Sequence, residues 1–587
     1  MRNIMHLNFG WKYKDAFEEA FVENGFDDSD FSDVMIPHAN KELPYNNFNE
    51  EIYQFASCYR KHFFIDAEQA GMRAILHFEG VMAFCRIYLN GSFIGEHKGG
   101  YTPFQLDATD IIRRDGENVL AVMVDSTERE DMPPFGNMMD YLTYGGIYRE
   151  VRLEFVHDIF IENLNIRTKD VLTDNVKMEV DLYLENHSGS EKEVGIELEL
   201  LHQDAGVLKF KESRFILATG SGKQAITQSF SKKMKLWDVQ EPNLYHLAVK
   251  VFIDGLLVDE RKERFGFREA VFQNDGFHLN GKKIKLRGLN RHQSFPYVGY
   301  AMPKAAQYKD AEILKQDLGV NLVRTSHYPQ SRHFLDRCDE LGLLVFEEIP
   351  GWQHIGNEAW QDIAVKNVGE MIKRDWNRPC VILWGVRINE SADNDVFYAR
   401  TNKVARELDP QRQTGGVRNF EGSRLLEDVY TYNDFIHNGY NQALQKVRHA
   451  AKKDVPYLVT EHNGHMFPTK KYDNEARRIE HALRHLRVLD KMHQAAGISG
   501  AIGWCMADYN THRDFGSGDR ICYHGVLDMF RIPKEAAGVY ASQQDDRAVM
   551  EVATAMVPGE RDAGVLKEAY VFTNCDSVNL SKNGAFV

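Results

Sequence analysis

The sequence predicts a multidomain chain: an N-terminal jelly-roll β-sandwich, an immunoglobulin-like β-sandwich and a (β/α)8 TIM barrel. Three observations predict it. The chain has 587 residues, more than one core supports, and asks for about three or four domains at roughly 100 to 200 residues each. Up to about residue 266, apolar and polar side chains alternate with the period of half-solvated strands. From 267 the period changes to short apolar runs alternating with amphipathic helices, and eight such runs follow.

Residues 1–157 form the first predicted domain. Strand-like runs at 53–60, 73–78 and 83–88 are separated by turn residues, and Asn90-Gly91 supplies the positive φ angles of a two-residue hairpin loop. Strands at this spacing predict a sugar-binding-like jelly roll. One stretch, 137–148, breaks the pattern with an acid, three tyrosines and the pair Gly145-Gly146, which permits close backbone approach. Within it Asp140 either caps a turn or reaches a neighbouring pocket and holds a sugar hydroxyl. Residues 158–266 alternate again, at 177–184 and 194–200, and predict an immunoglobulin-like sandwich with no concentrated ionisable group. The segment around Trp237 is a turn-rich insert with a structural role.

The barrel is predicted over 267–556. Its strands are 284–292, 320–327, 343–348, 381–384, 413–417, 428–432, 457–460 and 498–504. Between the second and third, Ser331 is an N-cap, Phe334, Leu335, Cys338 and Leu341 make an apolar face, and Gly342 ends the helix. From 557 to 587 strand-like sequence resumes as the start of a further, truncated β-sandwich.

In such barrels chemistry gathers at the C-terminal ends of the strands. Here those ends carry His292, His327, Asn389 with Glu390, Tyr432, Glu461 and Trp504. A single buried histidine is ordinarily a satisfied core group, but several ionisable groups converging on one rim exceed what packing selects. Glu390 and Glu461 form a carboxylate pair of the kind that cleaves glycosides, with retention or inversion set by their separation. Asn389 is placed to hold a 2-hydroxyl, and Trp504 to stack beneath a sugar ring. A carbohydrate-binding protein on an inactive barrel would have lost one carboxylate, and both are present.

The net charge is −15, which gives no electrostatic basis for binding nucleic acid or an anionic membrane. No apolar run has the length of a membrane span. The seven cysteines are scattered without a C-x-x-C pair, which predicts no zinc site and a reducing, cytoplasmic setting. No metal or cofactor is expected, and the expected partner is a carbohydrate or glycoconjugate substrate.

The chain resembles glycoside hydrolase family 2, the group of β-galactosidases, β-glucuronidases and β-mannosidases. The resemblance rests on Gly145-Gly-Ile-Tyr-Arg149, Gly288-Leu-Asn-Arg-His292, Val323-Arg-Thr-Ser-His-Tyr-Pro329, Asn389-Glu390 and Thr460-Glu461. It implies that Glu390 is the acid/base and Glu461 the nucleophile of a retaining exo-β-glycosidase. It also implies that Asp140, His292, His327, Asn389 and Trp504 contact the sugar, and it makes a homo-oligomer an expectation. The chain departs from the family pattern in four places. One extra residue, bringing in Arg387, separates Trp384 from Glu390, and Gln293 stands where an acid usually follows N-R-H. Trp352 replaces the glutamate that metal-dependent members carry two residues before His354, and no Asn-x-Lys signature follows Trp504. Arg387, Arg418, Arg513 and Arg520 lie in or after strand ends. They either grip a substrate carboxylate, Arg387 first among them, or serve as structural ion-pair partners. The substrate is accordingly expected to be a β-galacturonide or a neutral β-galactoside, with a β-glucuronide or β-mannoside as the alternative.

Overall fold

The computed structural model describes residues 2–435, 444–556, 566 and 568–587. Two antiparallel sheets build the N-terminal sandwich. One has four strands, ordered Asn3–His6, Val151–Val156, Arg73–Phe78 and Phe104–Asp107. The other has six, from Ser32–Val34 through Trp11–Lys14, Ala56–Phe63, Asn118–Asp125 and Phe84–Leu89 to Ser92–Lys98. Their facing sides bury Trp11, Leu76, Ile87, Val122 and Leu153 in one core. Asn90 and Gly91 both have positive φ, at 54° and 80°, and Leu89 pairs with Ser92 across them. That is the hairpin its two residues predict.

The second sandwich faces a three-stranded sheet, Ile159–Lys169, Asn175–Asn186 and Gly220–Ser231, against a five-stranded one built around Lys192–His202 and Tyr245–Ile253. Alternate residues of these strands, such as Val176, Met178, Val180 and Leu182, enter the core, as a period of two requires. Trp237 is fully buried at its junction with the barrel and donates its indole N–H to Asp339 O at 2.8 Å. The insert around it therefore joins two domains.

The barrel strands are β1 (Leu286–Asn290), β2 (Leu322–Thr325), β3 (Leu344–Glu348), β4 (Val381–Gly385), β5 (Gln413–Gly415 continuing as Val417–Arg418), β6 (Tyr430–Asn433), β7 (Tyr457–Glu461) and β8 (Gly500–Gly503). All neighbours are parallel, and β1 pairs with β8. The sheet thus runs round to the two halves of β5, which part at Gly416. A Cβ at Gly416 would lie 2.3 Å from Arg387 Cβ, so the strand break is packed tightly against the end of β4.

After β2, Ser331 Oγ accepts from His333 N at 3.2 Å and Gly342 closes the helix Arg332–Leu341 in the left-handed region at φ 68°. Such a cap contributes about 1 kcal/mol. The eight-unit expectation needs one correction, because no helix forms between β5 and β6. Residues 419–429 instead make a loop whose polar groups are satisfied by Arg418 on Glu427 and by Asp393 on Ser423 Oγ at 2.6 Å.

At the C-terminal side Val571–Thr573 pairs with Met550–Val552, and Phe572 buries beside Gly538 of the last helix, Glu535–Ala541. That strand-like stretch packs back on the barrel. Residues 557–565 and 567, within the expected further sandwich, lie outside the described residues. Among the described residues no helix is long and apolar enough to cross a membrane.

Candidate active site

Arg324, on β2, is the hub of the rim. It is fully buried, and each of its five N–H groups has an acceptor. Nε and Nη2 clasp Glu348 of β3 at 2.9 and 2.8 Å, and Nη1 donates to Glu461 Oε1 at 2.7 Å and to Asn290 Oδ1 at 2.9 Å. The second Nη2 hydrogen goes to Asn389 Oδ1 at 2.9 Å. One cation thereby ties together the ends of β1, β2, β3, β7 and the segment after β4.

The two glutamates have different surroundings. Glu461 is buried and has the Arg324 guanidinium on one oxygen. Burial pushes it up to about 8 against the pull of Arg324, with the nearby charge of Glu390 adding to the push. Glu390 is half-buried and receives two neutral amides, Asn433 Nδ2 on Oε1 at 2.9 Å and Gln353 Nε2 on Oε2 at 3.2 Å. Its backbone is in the left-handed region at φ 54°, held by its N–H on Val417 O at 3.0 Å.

Around them converge buried polar atoms without a partner among the described residues. Asp140 accepts from Tyr509 O–H on Oδ2 at 3.2 Å, leaving Oδ1 free, and burial together with the charge of Glu390 pushes it up to about 7. His292 bonds Tyr328 O–H through Nδ1 at 3.0 Å, and its Nε2 is unpartnered. Asn389 Nδ2 is likewise free. Burial lowers both His292 and His327 well below the usual histidine range, so both are neutral. His327 Nδ1 lies 2.7 Å from Glu348 Oε1, which assigns the proton to Nδ1 and leaves Nε2 as an acceptor. The ring of Trp504 stacks on His327 at 5.2 Å and 10°, with its N–H on Tyr509 Oη at 3.1 Å. A free donor, free acceptors and an aromatic face around two carboxylates suit a polyhydroxylated ring. Asp140, His292 and His327 also offer ligand atoms within 4.8 Å of one another, close enough to hold a cation.

Asp140 reaches this rim from the first sandwich. A Cβ at Gly146 (φ 113°) would meet His38 O at 2.4 Å, so glycine is required where the loop crosses the sandwich. Arg149 then donates to Pro329 O at 2.8 Å and Gln293 Oε1 at 3.0 Å, pinning the loop to the barrel. Gln293, which stands where an acid is usual, is thus an acceptor for that arginine.

Three family models match the chain in succession: glycosyl hydrolases family 2, sugar binding domain, over residues 16–156; glycosyl hydrolases family 2 over 159–268; and glycosyl hydrolases family 2, TIM barrel domain, over 271–547. The chain belongs to glycosyl hydrolase family 2. It is similar to a β-galactosidase of Thermoanaerobacterium thermosulfurigenes, 52% identical over 585 residues, covering 99% of this chain and 81% of that protein. A β-galactosidase of Thermoanaerobacter pseudethanolicus is 46% identical, covering 100% of this chain and 78% of that one. In fold it is similar to Bacteroides uniformis β-glucuronidase 2, with TM-score 0.85 and 24% identity over 94% of this chain and 71% of that one. A family 2 β-galacturonidase from Eisenbergiella tayi aligns with TM-score 0.79 and 23% identity, covering 92% and 96%. As a member of family 2 the protein is an enzyme that hydrolyses O-glycosyl bonds.

In this family 2 hydrolase the structure gathers seven of the nine residues singled out from sequence: Asp140, His292, His327, Asn389, Glu390, Glu461 and Trp504. Two others stand apart. Arg387 is buried, ion-paired to Asp393 at 2.9 Å, stacked 4.9 Å over Tyr398 and bonded to Ser391 O at 2.7 Å. The extra residue after Trp384 thus turns this side chain towards the next helix. Tyr432 packs among Tyr430 and Tyr457 and accepts from Gln445 at 3.4 Å, while its neighbour Asn433 holds Glu390. Successive residues of a strand face opposite ways, so only one of the two enters the site. Sequence reasoning assigned no role to Arg324, Asn433, Tyr509 or Gln353. Arg324 sits inside a quoted motif and Asn433 beside Tyr432; Gln353 carried no signal.

The residues at the third strand do not fit the metal site of metal-dependent relatives. Trp352 lies edge-on to Phe515 at 5.6 Å, and His354 packs against Gly136 and Trp360.

Proposed function

We propose that the enzyme is a retaining exo-β-galactosidase. Glu461, whose ionised form Arg324 favours, attacks the anomeric carbon, while Glu390 gives its proton to the leaving glycosidic oxygen. Water then attacks the glycosyl ester, its proton passes to Glu390, and Glu461 is released. The observation that carries this reading is the unequal environment of the pair: a nucleophile needs a fixed charge partner, and an acid/base must exist in both protonation states. Asp140, His292, His327 and Asn389 then hold ring hydroxyls, and Trp504 supports the ring's apolar face.

A neutral galactoside is favoured over a uronide because the arginines considered for a carboxylate are occupied. Arg387 is on Asp393, Arg418 on Glu427 with Glu427 fully enclosed, and Arg520 on Glu50 at 3.1 Å. Arg513 is largely exposed beside Asp514. The relatives named β-galactosidase support the same choice. The test is chromophore release from matched aryl β-galactoside, β-galacturonide, β-glucuronide and β-mannoside. Preference for the galactoside is expected; preference for either uronide overturns the specificity and leaves the two-carboxylate mechanism standing.

A further inference from the structure

Gln353 follows β3 in a loop moulded onto the segment that carries Glu390. Trp352 bridges Asn389, and Gln353 N donates to Asn389 O at 2.7 Å. A Cβ at Gly351 (φ 147°) would meet Ile388 Cδ1 at 2.7 Å, so the loop lies tightly on that segment. Gln353 itself is held at φ 58°, a left-handed conformation that side chains other than glycine rarely adopt. What this arrangement delivers is the side-chain amide on Glu390 Oε2 at 3.2 Å, opposite Asn433 on Oε1.

We infer that Gln353 is a positioning residue that orients the Glu390 carboxyl for proton transfer in both halves of the reaction. An amide suits the task. Its N–H donates to a carboxylate, and a half-turn presents its carbonyl to a carboxylic acid. A cation in its place would favour one protonation state only, as Arg324 does on Glu461. In this chain an uncharged side chain from the third-strand loop therefore stands against Glu390, next to the positions where metal-dependent relatives carry their ligands. The inference rests on the proposal that Glu390 is the acid/base.

The test uses Gln353→Gly, which keeps the left-handed backbone and its N–H while removing the amide, and Gln353→Glu, which keeps the length. Each is assayed on two substrates of the preferred glycone, one with a methyl and one with a 2,4-dinitrophenyl leaving group. Misplaced acid assistance should lower kcat/KM on the methyl glycoside by about 10- to 100-fold, part of what general acid catalysis contributes, and leave the dinitrophenyl glycoside nearly unchanged. Equal losses on both substrates, or no loss on either, overturn the inference. Glu390→Ala with added azide separates the two levels. Formation of the glycosyl azide upholds Glu390 as acid/base, so a failure of the Gln353 variants then counts against Gln353 alone. Absence of the azide product removes the reading on which it rests.

Discussion

Replacing Arg324 by methionine should move the pH profile of the enzyme as well as lower its rate. The substitution keeps the bulk of a buried side chain and deletes the one cation that touches both Glu461 and Glu348. Burial already pushes Glu461 up to about 8 with Arg324 in place. An opposite charge at this range shifts a carboxyl by about 1 to 3 units, so removing it should carry Glu461 up by that amount. At neutral pH the ionised fraction, and with it kcat/KM, should fall by about 10- to 1,000-fold, at 1.36 kcal/mol per unit. The deficit should shrink as pH rises. Folding should weaken by about 3 to 5 kcal/mol, the cost of leaving buried carboxylates unpaired. The assay is kcat/KM against pH for wild type and R324M, with thermal midpoints measured alongside. A loss that is the same at every pH would refute the claim that Arg324 favours the ionised nucleophile.

Two further outcomes follow from the same contacts. Glu461→Gln should abolish turnover while retaining binding of the substrate, measured calorimetrically. Since Glu461 is raised above its ordinary value of 4.5, the folded state holds its proton more tightly than the unfolded chain, and stability falls as pH rises from there through about 8. The glutamine variant should therefore raise the melting temperature on the alkaline side of that window and change it little below pH 4.5. Arg387→Ala should reduce activity on neutral and uronide substrates alike and lower stability by about 1 to 3 kcal/mol through loss of the Asp393 pair and the Tyr398 stack. A selective loss on uronides would instead return Arg387 to the substrate.

The fold was legible because its signals are local. The switch from period two to apolar runs marks the barrel, Asn90-Gly91 marks a hairpin, and Ser331 and Gly342 bracket a helix. The missing helix after β5 was not legible, because the loop at 419–429 is held by partners distant in sequence, such as Asp393 on Ser423. In the site, residues at strand ends could be named from position alone, as with Glu390 and Glu461. Which way each side chain points could not. Tyr432 and Asn433 differ by one residue, yet only Asn433 reaches Glu390, and Arg387 fits a carboxylate grip or an ion pair equally until Asp393 is placed against it. Arg324 reads as an ordinary strand arginine until five acceptor atoms from four other segments meet it. Gln353 acts through a left-handed backbone that its sequence does not announce.

The most direct test of the account is to trap the intermediate. A 2-deoxy-2-fluoro-β-galactosyl fluoride or dinitrophenyl galactoside slows breakdown of the glycosyl-enzyme, and peptide mass spectrometry then locates the sugar. The account predicts time-dependent inactivation with the label on Glu461 and β-configured product from untrapped turnover. A label on Glu390, or no label with an inverted product, would contradict it.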